Sequence, residues 1–175
     1  FALRHENGLN SLKLLLMNLN AEFIERTETL FGKAVYDRFA QALDEEPIVS
    51  IRHNELKHFS GIDGDNVPWT SLGCYLAERP AFTADPLFHA GCYYVQEASS
   101  MFLEQVVRQF VASPVRALDM CAAPGGKSTQ LKNKLGEKGV LVSNEIISSR
   151  CKILTGNIER LGLDNTVTTC MDTKK

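Results

Sequence analysis

The sequence predicts an α/β chain, in which an open parallel sheet is preceded by a small α+β domain. Two observations carry this expectation. From residue 115 onward short apolar runs alternate regularly with helical patterns, as βαβ units require. Upstream, two amphipathic helical patterns are followed by short β-like runs separated by turn residues. A third observation marks where a site would lie: the glycine-rich turn Pro124-Gly125-Gly126 follows the first strand of the alternating region.

The elements follow in order. Residues 1–16 show no clear pattern, and Met17 would serve as a natural start, so the first sixteen residues are expected to be a tag or non-native leader. From Asn20 the pattern is helical, with Phe23, Ile24, Leu30 and Phe31 on one face. Gly32 interrupts it. Val35, Phe39, Ala42 and Leu43 then recur at helical intervals until Asp44–Pro47 ends the second helix. Ile48–Arg52 reads as a short strand, and Gly61–Pro68 as a loop of turn-forming Gly and Asp. Trp69–Phe88 mixes short strands with connections around Pro80 and Pro86, which completes an N-terminal domain over 17–88.

A second unit, 89–175, is expected to start near His89. Tyr93–Val95 reads as a strand and Glu97–Val111 as an amphipathic helix closed by Ser113–Pro114. Val115–Met120, Val140–Asn144 and Thr166–Cys170 are strands, and Ser128–Leu135 and Ser148–Leu161 are the helices between them. Gly136, Gly139 and Gly162 stand at the helix-to-strand junctions, where a helix C-terminus favours glycine. A sheet of three parallel strands with an open edge looks cut short after the third strand.

Composition narrows the function classes. The apolar fraction of 44% and charged fraction of 23% are those of an ordinary globular protein. No run approaches the roughly 18–20 apolar residues that span a bilayer, so no membrane partner is expected. The five cysteines Cys74, Cys92, Cys121, Cys151 and Cys170 are widely spaced without a CxxC pair. That argues against a disulfide framework and against a metal site, and fits reduced, buried or half-buried thiols in the cytoplasm. Residues 1–113 carry 9 Lys and Arg against 15 Asp and Glu, whereas residues 114–175 carry 10 against 6. A polyanion, if bound, belongs near the second part.

The chemistry is concentrated in Ala117–Leu131 (ALDMCAAPGGKSTQL). Ligands of open α/β sheets bind outside the carboxyl ends of the strands, and this turn lies there. Gly125 and Gly126 let backbone approach a ligand, and the helix that follows offers free N–H groups to an anion. Three ligands compete. A P-loop needs GxxxxGK[ST], but the position of its first glycine holds Cys121. A dinucleotide fingerprint needs GxGxxG, which is absent here. S-adenosylmethionine needs a loop for its amino-acid end and an acidic residue on the next strand for its ribose. Glu145 ends that strand, and Asp172 follows the third, where it can accept from an adenine amino group. Singly, either acid serves equally well as a helix N-cap. Together with the loop they form one site.

DMCAAPGGKSTQL resembles the first motif of the Sun/Nop-type RNA (cytosine-5) methyltransferases. GCYYVQEASSM (Gly91–Met101), SNEIISSR (Ser143–Arg150) and SIRHNELK (Ser50–Lys57) resemble further segments of that family, in the same order. The likeness runs from about Met17 to the end, and is strongest to the bacterial ribosomal RNA branch. It implies a Rossmann-like methyltransferase sheet, S-adenosylmethionine as cofactor and an RNA substrate, ribosomal RNA, for a monomeric cytoplasmic enzyme. Cys121, Ala122, Ala123, Pro124, Gly125, Gly126 and Lys127 would wrap the methionine and ribose, Glu145 would hold the ribose hydroxyls, and Asp172 the adenine edge. Arg150 would support the site, through Glu145 or from the helix behind it. Gln96, Glu97 and Ser100 would brace the loop rather than touch the cofactor. The family's reaction uses a cysteine nucleophile and a second cysteine for release. Nothing in this chain resembles those segments, so the catalytic residues are expected beyond Lys175, and the chain is expected to bind cofactor without methylating. A non-catalytic RNA-binding module and a P-loop hydrolase are the competing readings.

Overall fold

The computed structural model describes residues 19–57, 62, 64–112 and 115–174. The expected leader 1–16, Gly61 and Asp63 of the turn-rich loop, and the helix-closing Ser113–Pro114 lie outside them. The chain divides into two compact units, 1–47 and 48–175.

In the first unit, α1 (Ala21–Phe31) and α2 (Lys33–Asp44) form a helical hairpin. Asn20 caps α1, its Oδ1 accepting from the Glu22 N–H at 2.8 Å. Gly32, at φ 82°, ends α1 by donating to the Glu28 carbonyl, and its own carbonyl starts α2. The rings of Phe23 and Phe39 meet at 6.2 Å between centroids. Neither helix buries a residue.

The second unit holds two sheets. β1 (Val49–His53), β2 (Asp65–Asn66), β3 (Gly73–Leu76) and β4 (Tyr93–Val95) make an antiparallel sheet in the order β2-β3-β1-β4. Ile51 and Tyr93 anchor its core with Cys74, Phe82 and Cys92. β2 falls inside the expected loop, because Gly64 lets the chain run against the β3 backbone: a Cβ there would sit 1.9 Å from the Tyr75 carbonyl oxygen. Between β3 and β4 lie a 3-10 turn (Phe82–Ala84) and the short helix α3 (Pro86–His89), capped by Asp85 with Pro86 in its first turn. β4, the first strand expected of the second domain, pairs with β1, so the compact unit begins at Ile48 and continues through His89.

The expected helix Glu97–Val111 is split into a 3-10 turn (Ala98–Phe102) and α4 (Leu103–Phe110). Two side chains draw carbonyls of the tight turn toward themselves. The Trp69 indole donates to Ala98 and the Gln130 amide to Met101, each at 2.7 Å. The second sheet is β5 (Arg116–Asp119), β6 (Val140–Asn144) and β7 (Thr166–Thr169), all parallel, in the order β5-β6-β7. Helices α5 (Gly126–Leu135) and α6 (Ser148–Leu161) connect them. The expected α/β class and its parallel sheet are therefore present. α5 begins two residues before Ser128, because Gly125 takes a left-handed conformation and its carbonyl receives the Thr129 N–H.

Candidate functional site

The turn after β5 forms the floor of a cavity of about 260 Å³. Cys121, Ala122, Ala123, Pro124, Gly126 and Lys127 line it from one side, and Tyr94, Gln96, Glu97 and Ser100 from the other, with Asp119 at the end of β5. The second wall comes from β4 and the turn after it, so both sheets contribute.

The loop is held by its own neighbourhood. Asp119 accepts from the Cys121 N–H at 3.2 Å and from the Ser128 hydroxyl at 2.6 Å, which pins the first residue of the turn to the first turn of α5. The Ala122 N–H donates to the Asn144 carbonyl, the Asn157 side chain to the Pro124 carbonyl, and the Arg150 guanidinium to the Ala123 carbonyl, all at 2.8 Å. Gly125 stands at φ 111°, where a Cβ would also meet Leu154 at 3.1 Å. A Cβ on Gly126 would press the Tyr94 ring at 3.3 Å. The peptide between Ala123 and Pro124 is cis.

Behind the loop lies Arg52, buried in β1. Its Nε donates to Gln96 Oε1 at 2.9 Å, and its Nη2 donates to the Gly126 carbonyl at 3.3 Å and to the Thr129 hydroxyl. Burial lowers its pKa to about 10, partly opposed by Tyr94 and Glu104. Tyr94, under the loop, is raised from its ordinary value by burial and drawn back by Arg160 and Arg52.

The predicted site residues are not all in one place. Cys121 to Pro124, Gly126 and Lys127 line the cavity, and Gly125 lies buried beneath it. Glu145 and Asp172 stand outside it. Glu145 is 3% exposed, accepts from the Ile147 N–H at 3.1 Å and pairs with Arg150 Nη1 at 3.4 Å. Arg150 thereby joins Glu145 to the loop carbonyl of Ala123, the first of its two expected positions. Asp172 is half-buried and accepts from the Lys174 N–H at 2.9 Å. Gln96, Glu97 and Ser100, expected as braces, border the open space themselves; only Gln96 also braces, through Arg52. Glu97 is lowered from its ordinary value by the Ser99 hydroxyl and the backbone N–H groups of Ser99 and Ser100.

Sequence reasoning missed Asp119, Asn144 and Arg52. Asp119 was readable as the polar end of an apolar strand. Asn144 joins the ends of all three parallel strands: it donates to the carbonyls of Met120 and Met171 and accepts from Thr169 and Met171. The expectation for the cysteines needs one correction. Cys74 and Cys92 are buried and Cys151 half-buried, but Cys121 and Cys170 are exposed, because one tops the loop and the other stands just past β7. Among the described residues no cluster of three or more His, Cys, Asp or Glu could hold a metal, and no helix is long and apolar enough to cross a membrane.

Residues 19–98 match the model of the N-terminal domain of 16S rRNA methyltransferase RsmF, and residues 112–175 that of 16S rRNA methyltransferase RsmB/F. Ribosomal RNA small subunit methyltransferase F of Shewanella woodyi is 33% identical over 174 residues, covering 91% of this chain and 36% of that protein. Its namesake in Aliivibrio salmonicida is 39% identical over 112 residues, covering 62% and 24%. The chain thus spans about a quarter to a third of the length of these relatives. Among solved structures, a methyltransferase homolog from Pyrococcus horikoshii superposes with a TM-score of 0.75 at 29% identity, over 92% of this chain and 55% of that one. NSun6 from the same organism, solved with SFG, shares the fold at a TM-score of 0.73 and 19% identity, over 87% and 65%. With the two family models matched in order over residues 19–98 and 112–175, and a relative 33% identical along 91% of the chain, the chain belongs to the RsmB/F family of 16S rRNA methyltransferases.

Proposed function

We propose that this chain holds S-adenosylmethionine over Cys121–Lys127, with Glu145 and Asp172 completing the site. The whole protein would then methylate carbon-5 of a cytosine in ribosomal RNA. The observation that carries the reading is the cavity over the loop, lined by Cys121–Pro124, Gly126 and Lys127 and bordered by Gln96, Glu97 and Ser100. The fit is chemical as well as spatial. The α5 N-terminus suits the carboxylate of an amino acid, and Gly126 keeps its approach open beside Tyr94. Glu145, oriented by Arg150, would accept from the ribose hydroxyls, and Asp172 from the adenine amino group.

When bound, the cofactor supplies an electrophilic methyl group on a positively charged sulfur. This chain's residues bind and orient it: Asp119 fixes the start of the loop, and Asn144 fixes the strand ends that carry Glu145 and Asp172. Carbon-5 of cytosine needs a nucleophile added to carbon-6 before it can accept a methyl group. Cys121 lies in the floor over which the cofactor would sit, which leaves that role to another cysteine of the whole protein. The same reading has the protein act on RNA in the cytoplasm as a monomer, without a metal.

Calorimetry with S-adenosylhomocysteine and with ATP tests the assignment. One-to-one binding of S-adenosylhomocysteine is expected, weakened about tenfold by E145Q through loss of a charged hydrogen-bond acceptor. Heat with ATP alone would overturn it.

A further inference from the structure

Away from the cavity, α6 and the end of β7 bring two cysteines together. Cys151, in the first turn of α6, reaches the Thr169 carbonyl through its Sγ at 3.5 Å. Cys170, the next residue along, places its Sγ 3.7 Å from the Ile146 carbonyl. The two sulfurs thus meet the same helix–strand junction, one on the carbonyl just before Cys170 and the other on a carbonyl five residues before Cys151. Thr155, one turn further along α6, fixes the pairing of helix and strand. Its hydroxyl donates to the Cys151 carbonyl at 3.0 Å and lies 3.1 Å from the Thr168 hydroxyl. Both cysteines line an open groove with Lys152, Thr155 and Glu159, so a small solute reaches either sulfur.

We propose that Cys151 and Cys170 form a reversible dithiol oxidation site, which a hydroperoxide closes into an intrachain disulfide. Cys170 is the exposed member and reacts first. Cys151 is half-buried, and burial raises its thiol above its ordinary pKa, so it is the second of the pair to react. The Cys170 sulfur attacks one peroxide oxygen, the O–O bond breaks, and Cys170 becomes a sulfenic acid while the other oxygen leaves as water, or as an alcohol from an organic peroxide. Cys151 then attacks the Cys170 sulfur. The S–S bond forms, the S–O bond breaks, and the hydroxide leaves as water with the Cys151 proton. The peroxide is reduced by two electrons and the two thiols are oxidised by two, and a dithiol reductant reverses the change.

The test uses the chain with C121S, which removes the other exposed thiol. One equivalent of hydrogen peroxide is followed by alkylation in denaturant and peptide mass mapping without reduction. The expected result is loss of two alkylatable thiols, with one peptide pair joined through Cys151 and Cys170 that dithiothreitol separates. Adding C151S should leave a Cys170 sulfenic acid that dimedone traps. If every thiol is still alkylated after peroxide, or the cross-links join other cysteines or two chains, the proposal fails. The decisive measurement is made with Cys151 and Cys170 both in place, and repeating it on the chain with Cys121 retained keeps it independent of how the variants fold; it counts thiols without reference to the cofactor.

Discussion

Replacing Arg52 separates two roles that its position combines, a buried charge and a three-way connector. The guanidinium donates to Gln96, Gly126 and Thr129. Hydrogen bonds from a charged donor are worth about 1.5–3 kcal/mol each, so three give on the order of 6 kcal/mol. Against this stands the cost of burying the charge. The fall in pKa from 12.5 to about 10 converts to about 3 kcal/mol. The net contribution is therefore about 3 kcal/mol. R52M loses the bonds and recovers the burial cost, so it should destabilise the chain by about 3 kcal/mol. R52K keeps a buried charge with at most one of the three bonds, because an ammonium lacks the planar fork, and should cost about 4 kcal/mol. Urea unfolding of the three proteins measures this order, and calorimetry with S-adenosylhomocysteine should show both variants binding more weakly as the Gly126 carbonyl is released. An R52K protein within about 1 kcal/mol of the parent, or more stable than R52M, would refute the balance of terms.

Three further outcomes are expected. G125A forces a side chain into a left-handed conformation and against Leu154, and should cost about 1–2 kcal/mol in thermal unfolding while lowering cofactor affinity. N144L removes the hydrogen bonds that join the ends of β5 and β7 to β6, and should cost about 3 kcal/mol, with faster amide exchange at Met171, whose N–H it frees. Glu97 has a carboxyl held below its ordinary value of 4.5, so its stabilising part is complete above that value and is lost as pH falls through the lower folded value. Acid unfolding of E97Q should accordingly show a shallower loss of stability below about pH 4.5 than the parent.

The parts of this fold that were legible in the sequence are those whose physics is local. Val140–Asn144 and Ser148–Leu161 have the bounds their periodicity suggests, because an apolar run and an amphipathic helix each announce their own length. Tyr93–Val95 was equally clear as a strand, but not its partner: pairing with β1, some forty residues earlier, is a tertiary fact that no local pattern records. The divided helix after Glu97 has the same cause, since Trp69 and Gln130, far away in sequence, take the carbonyls of Ala98 and Met101. In the site, the loop Cys121–Lys127 was legible as a strand–turn–helix with glycines at the turn. Glu145 was placed by register at the end of the next strand. What could not be read was which of the two readings of Arg150 holds, its pairing with Glu145 or a place behind the helix, and that Gln96 and Glu97 border the cavity.

This last point changes what the N-terminal sheet is for. The signature of the ligand site is confined to the parallel sheet, yet one wall of the cavity is β4 and the turn that follows it. The connection between them runs through Arg52 and Gln96, from the middle of the antiparallel sheet to the first turn of α5. Tyr94 adds a ring beside Gly126, where an added Cβ would press it at 3.3 Å. Asn54 extends the seam, donating to the Gly91 and Leu161 carbonyls and so fastening the start of β4's approach to the end of α6. The loop's glycines thus have close neighbours on both sides: Tyr94 beside Gly126, Leu154 beside Gly125, and the buried Arg52 guanidinium on the Gly126 carbonyl. A sheet that supplies both the wall of a site and the support of its loop is part of that site. The antiparallel strands therefore share in positioning the Cys121–Lys127 loop, whatever they contribute elsewhere.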